Sequence, residues 1–355
     1  VDIPETSLGE GIYATIDDAV NAAERAYERY NAMGSAIRNS VIASIRSAML
    51  ANAEHLAKLA HEETGLGRTE DKVRKNILVS TRTPGPEDLE PLIQTGDGGM
   101  MLTEHAPFGI IGSITPTTNP TSTIINNTIA ILSGGNAVVF NAHPGARKVS
   151  AENVRLLNRA VLAGGGPPDL VTAVPEPTIQ SAQELMHHPK VRVLLVTGGP
   201  GVVREALKTD KRAITAGPGN PPAVVDETAD IDRAARDIVS GASFDNNVIC
   251  TCEKTTIAVK SIGERLVRAM GRHGAHILKE HELRKVERVI FETMGPPGKP
   301  GVITRAWVGK NANAIAAAAG VDVEGDPRLL VAVVPNDHNL VWTEQMMPVM
   351  PVTMV

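Results

Sequence analysis

The sequence contains little cysteine and few aromatic residues. Its two cysteines, Cys250 and Cys252, are only two positions apart, a separation at which a disulfide is geometrically awkward. Two thiols cannot stabilise a chain of 355 residues by disulfide cross-linking, so we expect a reducing, cytosol-like compartment. Aromatic residues make up 3% of the chain, whereas glycine and proline number 32 and 24. A core of small aliphatic residues with many tight turns favours an α/β protein with buried parallel strands.

Long apolar runs and an excess of basic residues are also missing. No stretch approaches the roughly eighteen uninterrupted apolar residues of a transmembrane helix. The formal net charge of -5 argues against a general nucleic-acid binder, which needs a basic face. Phosphate-bearing small molecules stay among the candidate ligands, because backbone amides at helix starts bind them without positive charge. Residues 1–10 are polar and acidic and do not read as a secretory signal.

The N-terminal part predicts helices followed by a hairpin. Thr15 is the expected N-cap of a first helix, because acidic residues follow it. A second helical stretch covers 35–64 and ends at Gly65. The glycine-rich segment 95–104 predicts a hairpin, which would end this helical region.

From Gly109 onward, short apolar runs alternate with helical patterns. The predicted strands are 109–114, 137–140, 170–174 and 191–196, and the predicted helices are 121–132, 145–162, 178–187 and 201–209. This alternation predicts a doubly wound parallel sheet with ligands at the carboxyl ends of its strands. After a helix at 230–243, further strand and helix patterns at 255–259, 261–271 and 311–320 predict a second α/β domain.

Two polar turns follow predicted strands. The run 197–201, Thr-Gly-Gly-Pro-Gly, would let a phosphate approach backbone amides and a helix dipole. It is no GxGxxG fingerprint, so a plain tight turn is the alternative. The run 113–127 is a proline-punctuated polar loop at a strand end, where ligand sites lie. A helix N-cap rich in Thr and Ser explains it equally well.

Cys250 is a candidate nucleophile. It follows a polar asparagine loop, which is unusual for a core cysteine, and a thiolate is a strong nucleophile when nearby donors stabilise it. The alternative is a small buried hydrophobic residue. Cys252 is either a partner thiol or a metal ligand. Because no His/Cys cluster with metal-ligand spacing accompanies it, no metal is expected.

Seven motifs occur in a fixed order at 83–89, 106–112, 143–146, 197–201, 219–222, 243–247 and 344–348. Together they resemble the aldehyde dehydrogenase superfamily, and most closely the CoA-acylating propionaldehyde and acetaldehyde dehydrogenases of bacterial microcompartments. The resemblance covers nearly the whole chain. It implies an aldehyde dehydrogenase-like fold with a dinucleotide-binding domain at 1–240, a hairpin arm near 95–105, and a catalytic domain at 241–355.

The resemblance also implies roles for individual residues. Cys250 matches the nucleophile that attacks the aldehyde, passes a hydride to NAD as the hemithioacetal, and becomes a thioester. Glu344 matches the glutamate that holds the nicotinamide ribose, and His143 lies near the expected adenosine end of CoA or NAD. The candidate cofactor-binding residues are Thr115, Pro116, His143, Pro144, Thr197, Gly198, Gly199, Gly201, Gly217 and Glu344.

Two positions depart from the hydrolytic branch of this superfamily. Ala216 stands where that branch has the glutamate that activates water, so a thiol such as coenzyme A is the expected acyl acceptor. The branch's oxyanion-hole asparagine is displaced by one position here. Either Thr118 or Asn119 is therefore the expected donor, together with the Cys250 amide.

The resemblance leaves two alternatives open: a hydrolytic enzyme that releases free acid, or a chain that keeps nucleotide binding without turnover. Family members continue beyond the position that matches Val355, so we expect this chain to be incomplete at its C-terminal end. From the resemblance we also expect this stretch of sequence to be without the short N-terminal amphipathic helix of many members. The expected partners are a short aldehyde and CoA, with no nucleic acid and no membrane. A homo-oligomer is expected for the full-length form, in the cytoplasm or in a microcompartment lumen.

Overall fold

The computed structural model describes residues 7–355, which form two compact units. The described part of the first unit comprises 7–64 and 72–217, and the second unit comprises Gly65–Asp71 and Pro218–Val355. The expectation that 1–10 are no secretory signal falls mostly outside the described residues. Among residues 7–355, no helix has both the length and the apolar character needed to cross a membrane.

The first unit contains a parallel sheet surrounded by helices. Its helices are α1 (Ile16–Ala32), α2 (Ser35–Ala51), α3 (Ala53–Thr64), α4 (Thr69–Arg82, from 72 onward), α5 (Pro120–Ser133), α6 (Arg147–Ala163), α7 (Ile179–His187) and α8 (Pro200–Leu207). Its strands are β1 (Leu92–Gly96), β2 (Gly99–Thr103), β3 (Ile110–Ile114), β4 (Ala137–Asn141), β5 (Val171–Ala173), β6 (Val191–Thr197) and β7 (Arg212–Ala216). The predicted β-α alternation is confirmed in this region.

The sheet order is β5-β4-β3-β6-β7, with all neighbouring strands parallel. The chain starts at the central strand β3, builds outward to β5, and then returns to build β6 and β7. This arrangement is the doubly wound order that binds nucleotides where the winding direction reverses. The reversal lies between β3 and β6, so the residues that follow these two strands flank the expected ligand crevice.

The N-terminal helices differ from prediction at two points: the break at Asn52, and α4, which no sequence pattern predicted. Thr15 caps α1 by accepting a hydrogen bond from the Asp18 N–H at 3.2 Å, as predicted. The single helix expected over 35–64 is instead interrupted at Asn52, whose side-chain amide donates to the Ala48 carbonyl at 2.8 Å. An asparagine side chain that bonds the backbone competes with the helical ladder, which explains the break.

The predicted hairpin is present as the antiparallel pair β1 and β2. Every residue of both strands is exposed. Its apolar side chains include Ile93, Met100 and Met101, which are 60%, 75% and 53% exposed. This apolar, two-stranded arm has no core of its own within the described structure.

The second unit contains a second parallel sheet. Its elements are β8 (Pro222–Val225), α9 (Ile231–Ser243), β9 (Thr255–Ala258), α10 (Lys260–Arg272), β10 (Ala275–Ile277), α11 (Glu280–Ile290), β11 (Phe291–Thr293), β12 (Val302–Ile303), α12 (Ala312–Ala318), β13 (Leu329–Val333), α13 (Asn339–Trp342) and β14 (Val349–Met354). The main sheet has the order β10-β13-β14-β9-β8, again all parallel. The central strands β13 and β14 are almost entirely buried.

The division between the units differs from the predicted domain boundary. The sequence predicts a boundary after residue 240, whereas the structure divides between Gly217 and Pro218. The reason is that β8 pairs with β9 in the second sheet, and α9 packs its apolar face into the core of the same unit. The segment 218–240 therefore belongs with the cysteine segment that follows it.

Candidate active site

The candidate nucleophile follows a left-handed segment that contains no glycine. After α9, the residues Asp245, Asn246 and Asn247 have φ angles of 49°, 53° and 62°. All three side chains are buried. The left-handed region is unfavourable for residues with a Cβ, but Asn and Asp enter it most readily because their short side chains form local hydrogen bonds. The segment needs such bonds to persist.

Hydrogen bonds from other parts of the second unit hold this segment in place. Asp245 accepts from the Arg68 N–H at 2.7 Å and donates its own N–H to Asp71 at 2.9 Å. Asn246 accepts from the Arg68 Nε at 2.9 Å and donates to the Gly309 carbonyl at 2.9 Å. Asp71 is also ion-paired with Arg328, so a buried charged network fixes the backbone ahead of the cysteine.

Asn247 is held from both ends of its side chain. Its amide nitrogen donates to the carbonyls of Ala242 at 2.7 Å and Glu253 at 2.9 Å. The ammonium of Lys254 donates to its amide oxygen at 2.5 Å and its carbonyl oxygen at 2.9 Å. The residues on both sides of the cysteine are thereby tied to one asparagine.

The two cysteines occupy different environments. Cys250 is a free thiol in a partly exposed position, whereas Cys252 is a free thiol that is 8% exposed. The Cys252 sulfur lies 4.0 Å from the Phe244 carbonyl oxygen. Of the two cysteines, Cys250 is the more exposed residue.

Glu344 lies close to the cysteine segment within the second unit. Its carboxylate accepts a hydrogen bond from the Gly219 N–H at 3.1 Å. A Cβ added to Gly219 would stand 2.4 Å from the Cys250 carbonyl oxygen, so Gly219 touches both residues. Burial raises the pKa of Glu344, while the Gly219 N–H and the Lys254 charge act in the opposite direction.

In the first unit, the candidate ligand residues gather at the carboxyl edge of the sheet. Thr115 and Pro116 follow β3, His143 and Pro144 follow β4, and Gly217 follows β7. Thr115 is 2% exposed, and its hydroxyl has no hydrogen-bond partner among the described residues. An orphaned buried hydroxyl at a strand end fits a bound ligand that supplies the missing bond.

The turn 197–201 joins β6 to α8 at the same edge. Gly198 donates its N–H to the Ala216 carbonyl at 3.1 Å, and Pro200 begins α8. An added Cβ at Gly199 or Gly201 would meet nothing within 4 Å, so open space lies beside this backbone. Free amides at a helix start with open space beside them fit a pyrophosphate.

His143 caps the short turn Pro144–Ala146. Its Nδ1 accepts a hydrogen bond from the Gly145 N–H at 3.0 Å. The ring is largely exposed to solvent, and partial burial lowers its pKa. A neutral ring with Nδ1 as acceptor carries its proton on Nε2, which can then donate to a ligand.

The two candidate oxyanion donors are hydrogen-bonded to each other. The Asn119 amide oxygen accepts from the Lys75 ammonium at 2.7 Å, and its nitrogen donates to the Thr118 hydroxyl at 3.1 Å. Because an ammonium only donates, Lys75 fixes which end of the Asn119 amide is oxygen. One amide hydrogen of Asn119 and the hydroxyl hydrogen of Thr118 remain to be donated, so both residues stay candidate donors.

The sequence did not single out two buried lysines, Lys75 of the first unit and Lys254 of the second. Lys75 is 7% and Lys254 1% exposed. Lys254 is only four residues beyond Cys250, and this nearness to the candidate nucleophile was a usable signal. Its burial could not be read from the sequence, because lysines are rarely buried. Lys75 lies on α4, and nothing in its local sequence distinguishes it from a surface lysine. Among residues 7–355, no group of three or more His, Cys, Asp or Glu side chains could hold a metal ion.

Comparison with known proteins places these sites in a family context. The model of the aldehyde dehydrogenase family matches residues 7–286. An acetaldehyde dehydrogenase (acetylating) from Salmonella typhimurium is 47% identical over 354 residues, which cover 99% of this chain and 75% of that relative.

Three solved structures are similar over nearly the whole chain. The Rhodopseudomonas palustris propionaldehyde dehydrogenase, with bound CoA and an acylated cysteine, has a TM-score of 0.91 and 42% identity, and 98% of this chain and 79% of that chain are covered. An engineered glycolyl-CoA reductase with bound NADP+ has a TM-score of 0.91 and 42% identity, with 98% and 78% covered. A propionaldehyde dehydrogenase from the fucose utilisation bacterial microcompartment of Clostridium phytofermentans has a TM-score of 0.91 and 39% identity, with 97% and 78% covered.

Proposed function

The chain belongs to the aldehyde dehydrogenase family, and from this membership we propose that it is a CoA-acylating aldehyde dehydrogenase. It oxidises a short aliphatic aldehyde, acetaldehyde or propionaldehyde, to the acyl-CoA with NAD as hydride acceptor. The observation that carries the proposal is the free, partly exposed thiol of Cys250 on a buried, rigidly bonded left-handed segment.

The reaction proceeds through a thioester on Cys250. The Cys250 thiolate adds to the aldehyde carbonyl, forming a carbon–sulfur bond and a tetrahedral oxyanion. As the carbon–oxygen double bond re-forms, the hydride on carbon leaves for the nicotinamide ring, and the thioester remains. The thiolate of CoA then attacks this thioester, and Cys250 leaves as the thiolate, so one aldehyde, one CoA thiol and one NAD give acyl-CoA, NADH and a proton.

We assign the remaining roles to residues of each unit. In the second unit, the Cys250 amide donates to the oxyanion, and Glu344 holds the nicotinamide ribose. In the first unit, the turn 197–201 binds the pyrophosphate, supported by the open space at Gly199 and Gly201. Asn119, oriented by Lys75, is the second oxyanion donor. Losing one such donor typically costs about 3–4 kcal/mol in the barrier.

The Thr115 hydroxyl and the loop at His143 complete the proposed nucleotide site. The orphaned hydroxyl of Thr115 supports a ligand hydrogen bond at the end of β3. The Nε2 donor of His143 suits the adenosine end of NAD or CoA. NAD is preferred over NADP, because no basic residue in the sequence stands clearly where a 2′-phosphate would need it.

A hydrolytic reaction is the second candidate, and Ala216 weighs against it. Ala216 ends β7 and pairs with Thr197 of the candidate pyrophosphate turn. An alanine methyl cannot take a proton from water, whereas a CoA thiolate needs no such activation to attack a thioester. Acyl-CoA is therefore the preferred product.

We further propose that the hairpin β1–β2 mediates homo-oligomer formation. Its exposed apolar side chains and the unpaired edges of a two-stranded sheet support pairing with another chain. Residence in the cytoplasm or in a microcompartment lumen is the expectation that accompanies this proposal, drawn from the resemblance to microcompartment enzymes.

The test is NADH absorbance with propionaldehyde and NAD, measured with and without CoA. Continued NADH formation beyond a single turnover should require CoA, Cys250→Ser should abolish it, and Cys252→Ala should retain it as the matched thiol control. Steady NADH formation without CoA, with free propionate as product, would establish hydrolysis instead. Turnover by the Cys250→Ser variant would remove Cys250 from the mechanism.

A further inference from the structure

Lys254 is a buried cation beside the cysteine segment. Its side chain is 1% exposed, which is rare for lysine because an ammonium loses its hydration on burial. Such a group persists only where protein oxygens replace the lost water. The contacts of Lys254 therefore indicate what the residue does.

Its three ammonium hydrogens are matched by three oxygens. The Nζ atom lies 2.9 Å from the Asn247 carbonyl, 2.5 Å from the Asn247 amide oxygen and 3.1 Å from the Ile249 carbonyl. An ammonium with three acceptors is fully bonded only in its charged form. All three acceptors lie in the three residues that precede Cys250, so Lys254 closes a loop around that segment.

The bond to Ile249 also fixes the amide of Cys250. The Ile249 carbonyl and the Cys250 N–H belong to one planar trans peptide, in which they point in opposite directions. The same carbonyl accepts the Cys252 N–H at 3.2 Å, so two donors hold it. Within the second unit, whose residues are all described, the Cys250 N–H donates to no acceptor. The Cys250 N–H is thus held in one orientation and is available to donate a hydrogen bond to a ligand.

The charge of Lys254 also acts near Cys250. Burial lowers the pKa of Lys254, and the negative forms of Cys252, Glu344, Cys250 and Glu253 act in the opposite direction. The ammonium therefore lies within electrostatic reach of Cys250, and a cation there also favours the negative charge of an oxyanion, because little water screens a buried charge.

We infer that Lys254 is a positioning residue for thioester formation: it orients the Cys250 amide toward the developing oxyanion. The inference rests on the proposed role of Cys250 as nucleophile. It is independent of the nucleotide and CoA sites, because every contact that carries it lies between residues 247 and 254.

Lys254→Met removes both charge and hydrogen bonds, and Lys254→Arg restores the charge. Exposed Lys260 is the matched control, as Lys260→Met. The first readout is the single-turnover rate of NADH formation without CoA, which reports acylation of the enzyme. The second is the rate of Cys250 alkylation by iodoacetamide, which develops no oxyanion, followed by peptide mass spectrometry to separate Cys250 from Cys252. Circular dichroism establishes folding.

The inference predicts that folded Lys254→Met acylates about 10²-fold more slowly than Lys260→Met. Its alkylation rate should match that of Lys260→Met, because alkylation develops no oxyanion, and Lys254→Arg should recover most of the acylation rate. Equal acylation rates in Lys254→Met and Lys260→Met, or an equal loss of acylation and alkylation in Lys254→Met, would overturn the inference. If Lys254→Met does not fold, Lys254→Gln, which keeps one donor group, is judged by the same two rates. Alkylation requires no turnover, so failure of the inference is distinct from failure of the proposed function, which Cys250→Ser tests.

Discussion

Gly219 and Cys250 are in direct contact through their backbones, with the Cys250 carbonyl oxygen 2.4 Å from the point where a Gly219 Cβ would stand. The N–H of Gly219 meanwhile bonds the Glu344 carboxylate at 3.1 Å. A side chain at position 219 would therefore displace either the nucleophile segment or the proposed ribose-binding residue. Glycine is required here for close approach and not for an unusual backbone angle.

Gly219→Ala should lower kcat/KM by about 10–100-fold, because displacements of about 1 Å at a reacting group cost this much. The free energy of unfolding should fall by about 1–3 kcal/mol from overpacking. The matched control is Gly271→Ala on α10, where an added Cβ meets its nearest atom at 3.6 Å. Steady-state kinetics and urea unfolding measure both effects, and equal behaviour of the two variants would contradict the contact.

Asp71→Asn should destabilise the second unit. Asp71 is fully buried, pairs with Arg328 and accepts the Asp245 N–H. Removing one charge leaves its partner uncompensated, at a cost of about 3 kcal/mol, because Arg328 is partly solvated. Urea unfolding measures the loss. Asp232→Asn, in the exposed pair with Arg272, should leave the urea midpoint unchanged, and a similar loss in both variants would count against the buried network.

Binding of the nicotinamide nucleotide should weaken below neutral pH. Because burial raises the pKa of Glu344, its carboxylate takes up a proton at a higher pH than an ordinary glutamate and then accepts fewer ribose hydrogen bonds. Folding stability depends on pH in the opposite direction to nucleotide binding. The folded state binds the Glu344 proton more readily than the unfolded state, so this group's contribution to the free energy of unfolding increases as pH falls.

The measurement is KM for NAD against pH, with thermal melts to separate binding from unfolding. Glu344→Gln should raise KM at neutral pH and remove the increase in KM at acidic pH, whereas exposed Glu264→Gln on α10 should behave like the unchanged protein. If KM still increases at acidic pH in Glu344→Gln, another group is responsible for the pH dependence.

Ala216→Glu should introduce slow hydrolysis. A carboxylate at the end of β7 would supply the base that the alanine lacks, and general bases contribute about 10²–10⁴-fold in favourable geometry. We expect the CoA-independent rate of NADH and propionate formation to rise at least about tenfold. Ala216→Gln has a similar size but no base, so an equal rise in both variants would show that packing rather than proton transfer is responsible.

The first sheet could be predicted because its signals are local. The strands at 110–114 and 191–197 are short apolar runs bounded by turn residues, and the helices between them are longer than the strands. The domain boundary was missed because β8 is defined by its pairing with β9. Pairing between distant residues leaves no mark on the sequence around Pro222.

The proposed site draws its chemistry from the sequence and its supporting contacts from the fold. Cys250 and the turn 197–201 carry residue types that the proposed reaction needs. Lys75 and Lys254 were missed because burial of a lysine depends on oxygens that the fold supplies from other positions. The proposal of Asn119 as an oxyanion donor likewise draws on the Lys75 contact, which joins residues far apart in the chain.

The left-handed residues 245–247 place two opposing demands on the sequence. Glycine would adopt their backbone angles at lower cost, yet it would offer no side-chain oxygen to Arg68 or Lys254. Larger polar residues would offer oxygens but not the angles. A library randomised at these three positions and selected for activity should therefore return almost nothing but asparagine and aspartate, although no residue in the segment touches the substrate in the proposed mechanism.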